Sequence, residues 1–230
     1  MAILDTPSDP SPTAKPTIEQ IYRDLRERIC LLDIQPGAHL TETSLATDYG
    51  VSRTPIRQVL DRLQHERLVV QRPGAGTSVA VIDSKEIRDV WAVRLKVAEL
   101  MGDFVRLPAP PWVSSRLQGI RAELEPIRVS RDPRALGQLY NRYHEVILEL
   151  VANETLRRIH DELYHRTARV WLQFLPEMDI DAEIELMAEE IDSTALAVEE
   201  SNARRLAEVR CKHMRMLLDR FNEHVARPLG

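Results

Sequence analysis

Two short amphipathic segments, residues 41–49 and 52–65, are separated by only two residues, Gly50 and Val51, and no other feature constrains the fold of this chain as much. Thr41 is suited to cap the first segment, and Gly50 can take the left-handed conformation that ends a helix without steric cost. Pro55 falls in the first turn of the second segment, where the missing N–H of a proline costs nothing. The pattern predicts a helix-turn-helix unit, whose second helix enters the major groove of DNA.

The flanking segments predict a further helix and a wing. Residues 18–32 repeat apolar side chains every four positions, which is typical of an amphipathic helix. Residues 68–72 and 77–81 have the composition of strands, and the intervening Pro73-Gly74-Ala75-Gly76 run predicts a tight turn. Residues 17–82 are therefore predicted to form a winged helix-turn-helix domain.

The predicted DNA contacts are residues near the start of each of the two helices and in the wing. Arg53 and Arg57 can pair bidentately with guanine, whereas Ser52 and Thr54 are suited to phosphate contacts. The slim glycines of the wing allow a close approach to the sugar-phosphate backbone. The full predicted set is Thr43, Ser52, Arg53, Thr54, Arg57, Arg72, Gly74 and Gly76.

The distribution of charge also favours contact with DNA on one face. The chain has a formal net charge of −5, but residues 51–82 carry +3 and the rest of the chain carries −8. A basic patch on an acidic body is typical of a protein that docks one face on nucleic acid.

The N-terminal residues resemble the GntR family of regulators. The resemblance runs from Leu45 to Leu63 and through the glycine wing to Val79, and its most specific part is the hexapeptide Ser52-Arg53-Thr54-Pro55-Ile56-Arg57. Arg67 stands where the family usually has glycine, so we expect strain or a reshaped backbone after the second helix. The resemblance implies that the chain binds double-stranded operator DNA.

The rest of the chain predicts a separate helical domain over residues 84–226. Asp83 and Glu86 resemble a capping box, which places the domain boundary near residue 83. No strand pattern is visible, so the fold class is mainly α, with an antiparallel C-terminal bundle whose interior suits a small molecule. The six predicted helical segments are 84–106, 111–128, 133–151, 154–175, 181–200 and 203–224.

This domain order resembles the FadR subfamily, which carries an FCD ligand-sensing domain, and six helices are closer to its VanR-like branch. The landmarks are Val93-Arg94, Arg142-Tyr143-His144, Asn153 and His213. The resemblance implies an effector, or a divalent metal held by an acidic or amide residue and three histidines. Here only His144 and His213 match ligand positions, because Tyr140 and Ile191 occupy the other two.

Three interpretations of these residues stay open. His144 and His213 alone would make an incomplete site for Zn²⁺ or Ni²⁺. Alternatively, both histidines and Tyr140 contact an organic effector directly, with Ile191 in the same pocket and Arg94 as a clamp for a carboxylate. The histidines could also be ordinary core residues.

Two other classes of function compete with a regulator. The dipeptide His160-Asp161 resembles HD-type metal phosphohydrolases, which would need His144 and a further acid such as Asp192 at the same metal. A helical interaction adaptor would lack a basic recognition helix. The remaining histidines show no ligand spacing beyond helical coincidence: His39, His65, His165 and His224.

Partners and location follow from the same features. One winged helix offers little interface for a selective site, so a homodimer on a short palindrome is expected. The family resemblance implies that a small carboxylate metabolite is the effector and that it releases a repressor. The leader, residues 1–16, has the composition of a disordered segment without a signal pattern, and no run is apolar enough to span a membrane. Cys30 and Cys211 lack metal spacing, which favours a reducing cytoplasm.

Overall fold

The computed structural model describes residues 15–81 and 83–225, and it begins with a small α/β domain. The predicted leader falls mostly on residues 1–14, which lie outside the described residues. The elements of the first domain are α1 Ile18–Cys30, β1 His39–Leu40, α2 Glu42–Asp48, α3 Arg53–His65, β2 Val69–Arg72 and β3 Gly76–Val79. The strands form an antiparallel sheet in the order β1-β3-β2.

Local capping interactions explain where the helices of this domain begin and end. The hydroxyl of Thr41 accepts a hydrogen bond from the backbone N–H of Ser44 and caps α2. Gly50 has a φ of 64°, as expected for the turn between α2 and α3. Ser52 occupies the N-cap position of α3, but its side chain makes no capping hydrogen bond. The winged helix-turn-helix prediction is thus confirmed, and the two-residue strand β1 was not predicted because it is too short to show a pattern.

A compact apolar core fixes α1 and α3 against the sheet. The helix faces predicted from the repeat are buried, since Ile21, Leu25 and Ile29 of α1 meet Leu60 and Leu63 of α3 in one cluster. Burying each such side chain contributes about 1.5–3 kcal/mol. This core holds the exposed side of α3 in a fixed orientation.

The C-terminal domain consists of α-helices, with one short 3₁₀ turn and one isolated antiparallel bridge between Val105 and Val151, among the described residues up to 225. The helices are α4 Ser84–Phe104, α5 Trp112–Ala122, α6 Leu124–Ser130, α7 Pro133–Leu150, α8 Glu154–Phe174, α9 Ile180–Glu199 and α10 Ala203–Val225. None of the helices in this part of the chain, or in residues 15–81, is long and apolar enough to cross a membrane.

The prediction of six helices is wrong in one place. The segment 111–128 is divided into α5 and α6, so the described residues contain seven helices in this domain. Pro126 is the physical reason, because it has no N–H and its ring crowds the carbonyl of Ala122, where α5 ends. The number of helices therefore does not support the expected similarity to the six-helix, VanR-like branch.

The two domains pack directly on one another. Leu31, just after α1, joins the core of the bundle, and a Cβ on Gly137 would lie 3.1 Å from the Leu31 side chain. Arg134 of α7 forms a forked ion pair with Asp33, with N–O distances of 2.8 and 2.7 Å. Glycine at position 137 thus permits the close approach of α7 to the end of α1.

The presence of Arg67 instead of glycine after α3 predicts a measurable loss of stability. Arg67 adopts a φ of 58°, a left-handed conformation that costs a residue with a Cβ about 1 kcal/mol relative to glycine. We expect Arg67→Gly to be about 1 kcal/mol more stable than Arg67→Ala in urea unfolding. Both variants lose the guanidinium and its contact with Glu86. The difference between their free energies of unfolding therefore measures the cost of the left-handed backbone conformation at residue 67. Equal stabilities would contradict a strained residue 67.

Candidate DNA-binding surface and ligand cavity

The residues predicted to contact DNA all lie on the surface of the first domain. The eight are exposed: Thr43, Ser52, Arg53, Thr54, Arg57, Arg72, Gly74 and Gly76. Arg53 begins α3 and forms no ion pair with any described residue. Arg57 is already engaged, because its guanidinium makes two hydrogen bonds of 2.9 Å to the carboxylate of Glu42. Arg53 is therefore the arginine of this helix that is free to contact a base.

The backbone conformation of the wing depends on its two glycines. Gly74 and Gly76 both have a φ of 77°, which side chains with a Cβ rarely adopt. Nothing lies within 4 Å of the position a Cβ would take at either residue. Backbone conformation, rather than lack of space, thus requires glycine at the tip, next to the exposed Arg72.

The C-terminal bundle contains a partly open cavity with about 450 Å³ of empty space, part of which is open to solvent. Four residues of the predicted effector site line it: Arg94, Tyr140, His144 and His213. The fifth, Ile191, is not part of the lining and is buried in the apolar core of the bundle. The structure thus brings together residues of α4, α7 and α10, and it excludes Ile191.

Arg94 is a buried cation without an acidic partner among the described residues. Its guanidinium donates a hydrogen bond to Thr167 Oγ1 and lies 4.5 Å from the centre of the Trp91 ring. Burial, together with the positive charge of Arg210, lowers the pKa of Arg94 to about 9. A buried charge of this kind is stabilised by an anion, and the adjacent cavity has room for one.

An acidic residue that the sequence analysis did not single out faces the same cavity. Glu190 of α9 forms a buried ion pair with Arg210 of α10, and Glu190 Oε2 lies 3.1 Å from His213 Nδ1. Burial raises the pKa of Glu190 to about 7, although Arg210 and Arg94 oppose the shift. The signal was available, because Glu190 lies at the three- and four-residue spacing of the buried positions Met187 and Thr194.

Several polar atoms around the cavity have no hydrogen-bond partner in the described structure. These atoms include Trp91 Nε1, Tyr140 OH, Glu190 Oε2 and His213 Nδ1. Glu190 Oε2 and His213 Nδ1 lie 3.1 Å apart, but they are not aligned for a hydrogen bond with each other. Buried polar atoms are rarely left unpaired, since each costs about 1–3 kcal/mol. Their convergence on one cavity indicates a site for a polar ligand.

The metal site implied by the FadR resemblance does not fit these residues. Tyr140 is held protonated because burial raises its pKa, and Ile191 offers no ligand atom. Arg94 and Arg210 also line the cavity, and two guanidinium groups repel a divalent cation. The pair His144 and His213 is thus not supported as a metal site within this cavity.

The phosphohydrolase alternative is not supported either. It needs Asp192 beside His160 and Asp161, but Asp192 is exposed and pairs with Arg121 of α5 at 3.1 Å. His160 is buried, with its ring stacked 5.0 Å from that of His144. The acids required by such an enzyme are therefore not assembled around one ion.

A separate polar cluster lies where the two domains meet. Asp161 Oδ1 lies 3.1 Å from His144 Nε2 and 3.2 Å from His165 Nε2. Its other oxygen, Oδ2, accepts a hydrogen bond of 2.7 Å from Arg26 of α1. Burial opposes ionisation of Asp161, but the hydrogen bonds from both histidines outweigh it and hold the pKa of the carboxyl far below its usual range. The sequence analysis dismissed His165 as helical coincidence, which is wrong.

The cluster continues from Arg26 toward the recognition helix. Arg26 donates to the hydroxyl of Tyr22 at 2.9 Å, and this hydroxyl donates to Glu66 Oε1 at 2.6 Å. Glu66 is the C-cap residue of α3, and the guanidinium of Arg62 lies 3.3 Å from the centre of the Tyr22 ring. Polar contacts therefore connect Asp161 of the bundle with the end of α3.

The buried histidines predict how stability depends on pH. Burial lowers the pKa of His144 to about 3 and also lowers the pKa values of His160, His165 and His213. Below pH 6.5 the unfolded chain binds protons that the folded chain does not, so stability falls as the pH falls, by about 1.4 kcal/mol per pH unit for each histidine. We expect His160→Gln to show a shallower loss between pH 6.5 and 5 in chemical unfolding than the wild type or the exposed control His39→Gln. Identical slopes in all three proteins would contradict this account.

Comparison with known proteins gives a family match for the first domain. Residues 17–79 match the family described as bacterial regulatory proteins, gntR family. The uncharacterized HTH-type transcriptional regulator YdhC of Bacillus subtilis (strain 168) is 25% identical over 141 residues, which cover 61% of this chain and 63% of YdhC. The HTH-type transcriptional repressor RspR of Escherichia coli (strain K12) is 24% identical over 139 residues, 59% of this chain and 60% of RspR. The matches thus span less than two thirds of these relatives.

A solved structure extends the likeness to the whole fold. The structure described as E. coli McbR/YncC superposes with a TM-score of 0.71 and 18% identity, over 90% of this chain and 98% of that one. At this identity the match establishes the architecture alone. Residues 17–79, which include the winged helix-turn-helix elements, thus match the gntR family model, and the chain has the overall architecture of the McbR/YncC structure.

Proposed function

We propose that this protein is a transcription regulator that binds double-stranded operator DNA and responds to a small anionic effector. The observation that carries the proposal is that the start of α3 and the wing expose seven of the eight expected contact residues, and that the eighth, Thr43 of α2, is also exposed. Matches to regulators, including one named as a repressor, support a repressor. We place its action in the cytoplasm, where bacterial operators are found.

A homodimer is the proposed DNA-binding form. One recognition helix reads only a few base pairs, and a two-fold dimer doubles the contacts on a palindrome. On α4, Val93, Leu100 and Phe104 are 50%, 46% and 40% exposed, and their spacing of seven and four places them on one helix face. This apolar stripe is suited to contact with a second copy of the chain.

The proposed effector is a small carboxylate bound in the bundle cavity. Arg94 supplies an unpaired positive charge at the cavity wall, which a carboxylate can neutralise with forked hydrogen bonds. Tyr140, Trp91 and His213 supply unpaired polar atoms that suit hydroxyl or further carboxylate groups. Regulation then requires the effector to bind the DNA-competent and DNA-incompetent arrangements of the dimer unequally.

The DNA-binding part of the proposal predicts the effect of removing Arg53. Loss of one bidentate contact to guanine costs about 1–3 kcal/mol, so Arg53→Ala should weaken operator binding about 10- to 100-fold. The probe is a duplex selected from a random library by the wild-type protein, and binding is measured by fluorescence anisotropy. Arg204→Ala, which removes an exposed arginine of α10, should bind as the wild type does.

Two outcomes of this experiment would contradict the proposal. One is equal affinity of Arg53→Ala and Arg204→Ala for the selected duplex. The other is failure of the wild-type protein to enrich any duplex, which is the result expected of an adaptor. A strictly monomeric complex in sedimentation would contradict the homodimer alone.

The effector part predicts the effect of removing Arg94. A panel of aliphatic monocarboxylates, hydroxy acids and dicarboxylates is screened for a rise in melting temperature of the wild-type protein. Arg94→Ala should lose that rise and the effector response of operator binding, while operator binding without effector persists. Arg94→Lys keeps the charge and should retain part of the response. An unchanged response in Arg94→Ala would show that this guanidinium is not the clamp.

A further inference from the structure

The cluster at the domain interface has the geometry of a metal site that differs from the one implied by the family resemblance. His144, Asp161 and His165 each offer one ligand atom, and these atoms lie within 4.8 Å of one another. A tetrahedral Zn²⁺ with bonds of about 2.0–2.2 Å separates its ligand atoms by about 3.3–3.6 Å. The distances of 3.1 and 3.2 Å between Asp161 Oδ1 and the two imidazole nitrogens are already close to this spacing.

We propose that His144, Asp161 and His165 bind a divalent transition-metal ion such as Zn²⁺ between the two domains, in competition with the guanidinium of Arg26. Two imidazoles and one carboxylate form a common donor set for this ion, with a fourth position left for water. The inference does not depend on the proposed binding of DNA.

The protonation of the ligands suits a metal. Burial lowers the pKa of His144 to about 3 and lowers that of His165, so both imidazoles are neutral at pH 7. On binding, each proton on Nε2 moves to Nδ1 of the same ring, and the ion takes its place beside Asp161 without net proton release from the histidines. Nδ1 of His144 has no partner among the described residues, and Nδ1 of His165 lies 3.6 Å from Cys30 Sγ.

An entry path leads to the cluster from solvent. A groove between α1, α7 and α8 is lined by all three proposed ligands, and the side chain of Asp161 is 26% exposed. Water from this groove can reach the fourth coordination position. His144 also lines the bundle cavity, so its ring forms part of the wall between the groove and the cavity.

Arg26 is the expected competitor of the ion. Its guanidinium bonds to Asp161 Oδ2, and its side chain belongs to α1, whereas all three ligands belong to α7 and α8. Positive charge next to an incoming divalent ion weakens binding, and the ion in turn weakens the attraction between Asp161 and Arg26. Metal binding thus loosens one of the contacts that join α1 to the bundle.

The experiment uses the full-length protein without an affinity tag, stripped of metal with a chelator. Co²⁺ is titrated and followed by the visible absorption of four-coordinate Co²⁺, and Zn²⁺ affinity is measured by competition. We expect one equivalent to bind, and His165→Gln and Asp161→Asn to weaken binding by about 100-fold or more. Arg26→Met should bind about tenfold more tightly, because the competing charge is gone.

Controls separate this site from the cavity and from loss of structure. His213→Gln removes a histidine of the cavity and should leave Co²⁺ affinity unchanged. Each variant is checked by circular dichroism, and His165→Gln serves if Asp161→Asn does not fold. The proposal is overturned if the wild type gives no four-coordinate Co²⁺ spectrum, or if His213→Gln rather than His165→Gln abolishes it. A loss of affinity in Arg26→Met overturns the competition.

Discussion

The carboxylate of Asp161 bonds to side chains from three helices, and these bonds are among the contacts that hold the two domains together. His144 comes from α7, His165 from α8 and Arg26 from α1, which lies in the other domain. A half-buried carboxylate needs such partners, since burial without them costs several kcal/mol. Because Arg26 also contacts Tyr22, whose hydroxyl bonds to Glu66, the same anion is connected to the end of the recognition helix.

The interior of the bundle contains more charge than a purely structural core requires. Glu183 accepts a hydrogen bond of 3.0 Å from Trp171 Nε1 and pairs with Arg220, and Glu190 pairs with Arg210. Arg94 alone among these buried charges has no opposite charge at ion-pair distance in the described residues. Replacing buried ion pairs with apolar side chains is often neutral or stabilising, so stability does not explain this arrangement. The proposed binding of an anionic effector accounts for it.

The sequence predicted features that depend on local chemistry and missed those that depend on tertiary contacts. Capping by Thr41, the left-handed Gly50 and the glycine wing are local, and all were predictable. The break between α5 and α6 was also predictable from Pro126. It was missed because the helical repeat of apolar residues continues on both sides of the break. Arg26 and Asp161 are 135 residues apart in sequence, and only the docking of α1 on α8 brings them together. The four-residue spacing of Asp161 and His165 was visible, and the phosphohydrolase alternative already grouped His144 with Asp161, but no sequence pattern added His165 to that pair.

The positions of the tryptophans have an experimental consequence. All three, Trp91, Trp112 and Trp171, belong to the helical domain, and the winged domain has none. Trp91 and Trp171 line the cavity, whereas Trp112 is half-exposed on α5. Their fluorescence is therefore expected to respond to the proposed effector in the cavity, whereas the winged domain contributes no tryptophan emission of its own. The protein contains an intrinsic optical probe, which can follow ligand entry without a label.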